Sequence, residues 1–468
     1  MIKKLKIPNR MKIDSKISLP RSQIFLLGML GGAGAFFGTV ENGQFNTWIN
    51  SVIKYDLGGT WDWWYVPLMT TFSAIMGLIF LLVWGAISDK TTSRWGKRRP
   101  FILGGIIAGL AMILYAFSGN FWICFVLDVL VVGIFMNALL AANKALIPDM
   151  TKQEERGRVN SYINIISGIF SFGSIAIFLV MDGLFTSVTP KEVEYLNIIG
   201  HIIILIMTGG IYITISIVCF FFIKEPEKNI KKDENSNDDL KWYQEIANSF
   251  RFSELVKEKE FFKILIATLI FNIGSKMFLP WIFEFVSALP LDFSIIAVVL
   301  VEFIFLGFII SIFLGKLCDR IGRKKPLIIS IIIGCIGFFM VPIVVATMNL
   351  VLLIIMVALI LFNLNGVTTI LSAWTQDLLP RGKRGQFLGI NNMSSTVNQM
   401  IGVWLGGLIY SMFPSDQVTG ISWQIFFATF LFLASIPFFL KVKESLPVTS
   451  EIDVITPSKE DKLGLKND

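Results

Sequence analysis

Gly85-Ala-Ile-Ser-Asp89-Lys-Thr-Thr-Ser-Arg94-Trp-Gly96-Lys97-Arg98-Arg99-Pro100 is a short, strongly basic turn between two apolar runs. About 230 residues later the pattern returns as Gly315-Lys-Leu-Cys-Asp319-Arg320-Ile-Gly322-Arg323-Lys324-Lys325-Pro326. A second pair of turns repeats at nearly the same offset. Leu146-Ile-Pro148 with Arg156-Gly157 is matched by Leu378-Leu-Pro380 with Arg384-Gly385. Two motif pairs at one offset mark an internal duplication.

The runs between these turns decide the class. The chain is 54% hydrophobic and only 16% charged, with mean hydropathy +0.69; a soluble domain carries about 25% charged residues. The runs 101–117, 159–180 and 327–346 each approach the ~20 apolar residues that cross a hydrocarbon core. The net charge of +7 is one of topology rather than of nucleic-acid binding. All but four of the 41 Lys and Arg fall in the tails or in loops on one predicted side. The exceptions are Lys54 and Lys191 in loops on the other side and Lys144 and Lys276 within spans. By the positive-inside rule both termini are cytoplasmic. Cys124, Cys219, Cys318 and Cys335 are scattered with no CxxC spacing, and no disulfide or metal framework is implied.

This is an all-α integral membrane protein with twelve transmembrane helices in two six-helix halves. The expected organisation is a cytoplasmic tail (1–21), an N-terminal half (22–223), a cytoplasmic central loop (224–260), a C-terminal half (261–440) and a cytoplasmic tail (441–468). Span 1 is expected to end near Trp48. Within the central loop, Trp242, Ile246, Phe250 and Leu255 recur at near-helical spacing, which suits an amphipathic helix on the membrane surface.

The two Gly–Asp–basic turns resemble the signature loops of the major facilitator superfamily. The first, with Thr-Ser-Arg94-Trp-Gly96-Lys97-Arg98-Arg99-Pro100-Phe-Ile, resembles the loop of sucrose/H⁺ symporters and their relatives in the glycoside-pentoside-hexuronide cation symporter group. The resemblance implies two parallel halves that rock around a central site. It also implies a gating role for the turns: Gly85 and Gly315 would permit close helix approach. Asp89 and Asp319 would face a partner helix or pair with Arg94 and Arg323, with Gly96 and Arg98 in the same loop.

Ionisable residues at span depth cost at least ~2.5 kcal/mol each and so mark function. They are Glu41, Asp128, Lys144, Lys276, Glu284 and Glu302. Glu41 and Gln44 are three apart and should share a cavity-facing side with Asn42. Asn137 and Asn272 add neutral donors and acceptors suited to hydroxyls or to helix packing. Lys276 and Glu302 could pair. The resemblance implies an acid and a cation in span 4, met by Asp128 and Lys144, and an acid in span 8, met by Glu302. Asp128 is the leading proton carrier. Span 2 has no acid between Trp64 and Ser88, which favours protons over sodium as the coupling ion. His201 is expected at the membrane interface.

There is no P-loop, no metal-ligand spacing and no GxSxG, so neither an ATP-driven pump nor an enzyme is indicated and no cofactor is expected. The reading is a proton-coupled sugar or glycoside symporter in the cell membrane, working as a monomer. An exporter of amphipathic compounds on the same fold is the alternative, ahead of a transport-inactive sensor.

Overall fold

Hydrocarbon offers no partners to a peptide group, so a spanning chain must close its backbone hydrogen bonds within itself. The computed structural model describes residues 19–151, 156–188, 194–225, 257–289, 293–378, 384–413 and 416–445. In those residues each long apolar run is helical. In the first half the helices are α1 (Arg21–Asp56), α2 (Tyr65–Lys90), α3 (Arg99–Tyr115), α4 (Phe121–Ile147), α5 (Arg156–Leu184) and α6 (Ile198–Phe222). In the second they are α7 (Lys259–Ser287), α8 (Phe293–Ile321), α9 (Lys324–Thr347), α10 (Leu350–Asp377), α11 (Arg384–Ser411) and α12 (Gln417–Leu440).

Among the described residues, nine of these helices are long and apolar enough to cross a membrane by composition alone. Of the other three, α3 is shorter, and α11 is diluted by Asn391, Asn392, Asn398 and Gln399. Two departures from the sequence reading appear. The first span does not stop near Trp48, because the helix continues through a π-helical stretch to Asp56. The loop between α5 and α6 also forms a small antiparallel hairpin, β1 (Thr186–Val188) with β2 (Glu194–Leu196). The expected amphipathic helix at Trp242 to Leu255 lies outside the described residues.

The irregular turns fall on related helices. A π-helical segment interrupts α4 at Val126–Val132 and α10 at Phe362–Val367. A π stretch ends α1, and a short 3-10 turn, Leu279–Trp281, breaks α7 at Pro280. Proline has no N–H to continue the ladder, and π turns commonly mark functional sites.

Without a hydrophobic force between helices in lipid, close packing depends on small residues. Within the first half α1 packs chiefly on α5, and α3 on α6; within the second α7 packs on α11 and α12. At the α3–α6 crossing Gly109 and Gly209 lie backbone to backbone, and a side chain at Gly109 would start 2.8 Å from the Gly209 carbonyl oxygen. Substituting Gly209→Leu should therefore prevent the crossing and cost upwards of ~3 kcal/mol, at the severe end of overpacking. The measurement is loss of monodisperse protein in detergent, against a silent control at Gly210, where a side chain meets open space.

The ends of α2, α4, α6, α8, α10 and α12 and the starts of α1, α3 and α9 meet on one face. This is called the basic face below, and the other the opposite face.

Candidate functional site

The two halves touch at the opposite face. Asn46 of α1 donates to the Pro280 carbonyl of α7 at 3.1 Å. Asn50 of α1 donates to Glu284 of α7 at 2.7 Å, and Tyr410 of α11 donates to the other oxygen of Glu284 at 2.6 Å. Ser287 of α7 donates to Asp182 of α5 at 2.6 Å. Trp404 of α11 donates to Thr71 of α2 at 3.1 Å, and Gly407 abuts Pro67 and Trp63. Phe283 fills the space over Gly43 and packs edge-on against Phe178. At the basic face the picture reverses. Every ion pair described there joins residues of one half, and side chains added at Gly85 and Gly315 would meet nothing within 4 Å. Among the described residues the halves form a wedge, sealed at the opposite face and with open space beside Gly85 and Gly315 toward the basic one.

Helical spacing shows what lines its apex. Gly43, Asn46 and Asn50 face the other half, so Thr39 and Asn42 continue that stripe one turn into the wedge. Asn42 is exposed, and its amide donates to the Gly38 carbonyl at 2.6 Å. On α7, Pro280, Phe283 and Ser287 make the seal, and Asn272 and Lys276 continue the stripe, both half-buried. The expected cavity role thus suits Asn42, Asn272 and Lys276. It does not suit Gln44, which turns into the first half and meets His201 Nδ1 at 2.5 Å. His201 is fully buried against Trp48, a correction to its expected place at the interface.

Glu41 lies just behind the apex. Its carboxyl lies close to that of Asp128 and to Ser73, so that α1, α4 and α2 bring these three side chains together. Asp128 is 2% exposed, and its Oδ1 has no hydrogen-bond partner. The π turn of α4 carries it inward. Neither the pairing nor Ser73 was visible in the sequence, because the two acids stand 87 positions apart and Ser73 sits in an ordinary apolar run.

The remaining polar positions scatter. Glu302 makes no hydrogen bond with either oxygen and forms no described ion pair with Lys276, so the expected pair is absent. Lys144 is exposed near the basic end of α4, about 24 Å along the helix from Asp128 at ~1.5 Å per residue. Asn137 donates to the Gly133 carbonyl of its own helix at 2.8 Å and packs beside Gly77.

The basic turns are built as paired staples. Arg98 is 6% exposed; it pairs with Asp89, donates to Ser88 at 2.5 Å and reaches Asp149 at 3.1 Å. The partner of Asp89 is therefore Arg98, with Lys97 at 3.5 Å, and not Arg94, which stands exposed over the Trp95 ring. Arg98 is farther along the chain than Arg94 but lies buried on the inner side of the turn. Glu225, just past α6, accepts from the backbone N–H groups of Lys97, Arg98 and Arg99 at 2.7 to 2.9 Å. A carboxylate at a helix N-terminus neutralises unpaired N–H groups and the helix dipole. Gly96 adopts φ +112°, and a side chain there would strike that carboxylate.

The second half repeats the device. Glu444, just past α12, accepts from Arg323 and Lys324 N–H at 2.9 Å, beneath Gly322 at φ +89°. Arg323 pairs with Asp377 at 3.3 Å, as Arg98 does with Asp149. The Asp319 side chain lies outside the described residues. Glu225 and Glu444 went unread in the sequence, although Lys224-Glu225 and Lys443-Glu444 follow spans 6 and 12 alike.

Comparisons with known proteins agree with this geometry. Over 185 residues, 36% of this chain, it is 27% identical to the lactose permease of Lactobacillus helveticus. Over 53 residues, 11% of this chain, it is 45% identical to solute carrier family 45 member 4 of Homo sapiens. These matches span 29% and 7% of the relatives' own lengths. Among solved structures it is similar to the nucleoside transporter NupG, with TM-score 0.66 and 11% identity over 90% of this chain and 99% of that one. It is also similar to a bacterial homolog of the lysosomal transporter Spinster, solved in an inward-facing, unoccupied conformation. There the TM-score is 0.63 at 12% identity, over 90% of this chain and 96% of that one. The profile of the Major Facilitator Superfamily matches residues 32–397 and 264–454. That match covers most of the chain and both of its halves, and the chain belongs to the Major Facilitator Superfamily.

Proposed function

We propose that this transporter is a proton-coupled symporter of a sugar or glycoside, with its basic face in the cytoplasm of a cell whose plasma membrane it spans. The observation that carries the reading is the Glu41–Asp128 carboxyl pair behind the apex of the wedge. Two adjacent carboxyls, Asp128 buried and Glu41 half-buried, hold a proton between them, because two negative charges so close repel. Such a pair loads and releases one proton as the wedge changes the side it faces. Asn42, Asn272 and Lys276 offer hydrogen-bond donors beside it, which suits hydroxyl-rich substrates. The partial likeness to a lactose permease and the loop before Pro100 support sugar over other polar solutes. The alternative, export of amphipathic compounds, would call for an apolar apex, and these three residues weigh against it.

Glu41, Asp128 and Ser73 also offer five oxygens, a donor set that a sodium ion accepts. The test is uptake of labelled lactose, sucrose and simple glycosides into proteoliposomes under an imposed pH or sodium gradient. The expected result is accumulation driven by pH for at least one glycoside. Accumulation driven by sodium alone would overturn proton coupling, and no uptake of any sugar would overturn the substrate class.

A further inference from the structure

The charged groups at the two faces are used in opposite ways. At the basic face, the described contacts of Asp89, Asp149, Glu225, Asp377 and Glu444 are with their own half. They need not break when that face opens or closes. At the opposite face, two buried carboxylates reach across. Glu284, 4% exposed and carried by the second half, accepts from Asn50 of the first and is tied by Tyr410 to α11. Asp182, 5% exposed and carried by the first half, accepts from Ser287 of the second. Each half thus supplies one acid and one neutral donor.

Trp61 extends the first of these, donating to Asn50 Oδ1 at 3.0 Å and so orienting the Asn50 amide toward Glu284. Lys54 lies over the Trp61 ring at 4.0 Å and adds electrostatic attraction to Glu284 across the seal.

We propose that Glu284 and Asp182 form a reciprocal two-carboxylate lock that holds the protein open to the basic face, and that breaking it admits substrate from the opposite face. The choice of donors carries the idea. Asn50, Tyr410 and Ser287 are neutral hydrogen-bond donors, and opening replaces them with water at the two acids. A lock of this kind holds firmly while dry and yields once water enters. The basic-face staples, with buried Arg98, lack that property and are built to persist. The proposal rests on the alternating-access reading of the fold.

Accessibility at Gly85 tests it, since that position is open in this state and all four native cysteines are buried. Full-length protein carrying Gly85→Cys is labelled with a maleimide in nanodiscs, without substrate. Adding Glu284→Ala should slow labelling about fivefold, the low end of typical coupling between two states. Tyr410→Phe and Ser287→Ala each remove one hydroxyl from the lock and leave packing intact, and should slow labelling by smaller amounts. Unchanged or faster labelling in all three overturns the lock, whatever the transport assays show. Slower labelling in a protein that moves no sugar would leave the lock standing and sink only the sugar reading.

Discussion

Asp128→Asn abolishes accumulation of substrate but leaves exchange running. A gradient of one pH unit is worth ~1.4 kcal/mol per proton, or about tenfold accumulation for a one-proton symporter. The amide occupies the same space beside Glu41 and Ser73 but carries no acidic proton, so the accumulation ratio should fall from about ten to one. Exchange needs no net proton movement, and its rate should hold within about threefold because the wedge geometry is unchanged. Glu41→Gln should weaken coupling in the same direction, since Asp128 would then lack the carboxyl that shares its proton. Measurement of counterflow and of gradient-driven uptake in the same proteoliposomes separates the two. Full accumulation in Asp128→Asn would show that the proton travels elsewhere.

Arg98→Ala should be the most destabilising change on the basic face. Arg98 is nearly buried and holds Asp89, Asp149 and Ser88 at once. Its removal takes away the guanidinium that ties Asp149, whose side chain is 24% exposed, to the end of α2, and so unties α2 from α4. Breaking a buried pair costs 3–5 kcal/mol, and the partial exposure of both acids places this case at about 3 kcal/mol. Arg98→Lys should recover less than half of that, because an ammonium cannot serve three acceptors in one plane. Arg94→Ala, by contrast, should lie within about 0.5 kcal/mol of the parent, as an exposed side chain over one ring. Thermal unfolding in detergent, followed by tryptophan fluorescence, checks all three. Equal losses at Arg94 and Arg98 would mean that the turn is held by its overall charge and not by the staple.

These two cases show where sequence reading succeeds and where it stops. Asp128 was legible because an acid in an apolar run is conspicuous whatever surrounds it. Its partnership with Glu41 was not, because that depends on how α1 rolls against α4. Arg94 and Arg98 look equivalent in a run of basic residues, and only the positive φ at Gly96 turns the second inward. Lys276 and Glu302 looked like a pair by depth alone, but depth does not set azimuth, and the structure leaves both unpaired with each other. Gln44 failed for the same reason: three residues from Glu41, it falls far enough around α1 to meet His201 instead of the wedge.

The sequence by itself determined the class, the number of spans, their division into two related halves and the face that carries the basic turns. All of these are written in local composition and in repeats along the chain, which no packing can alter. Only the tertiary structure decided which face is closed, which acids touch, and that Glu225 and Glu444 cap the helices after the two basic turns. Those facts depend on contacts between residues some 90 to 230 positions apart. Helix roll and tilt, set by glycine crossings and by the π and 3-10 turns, bring them together.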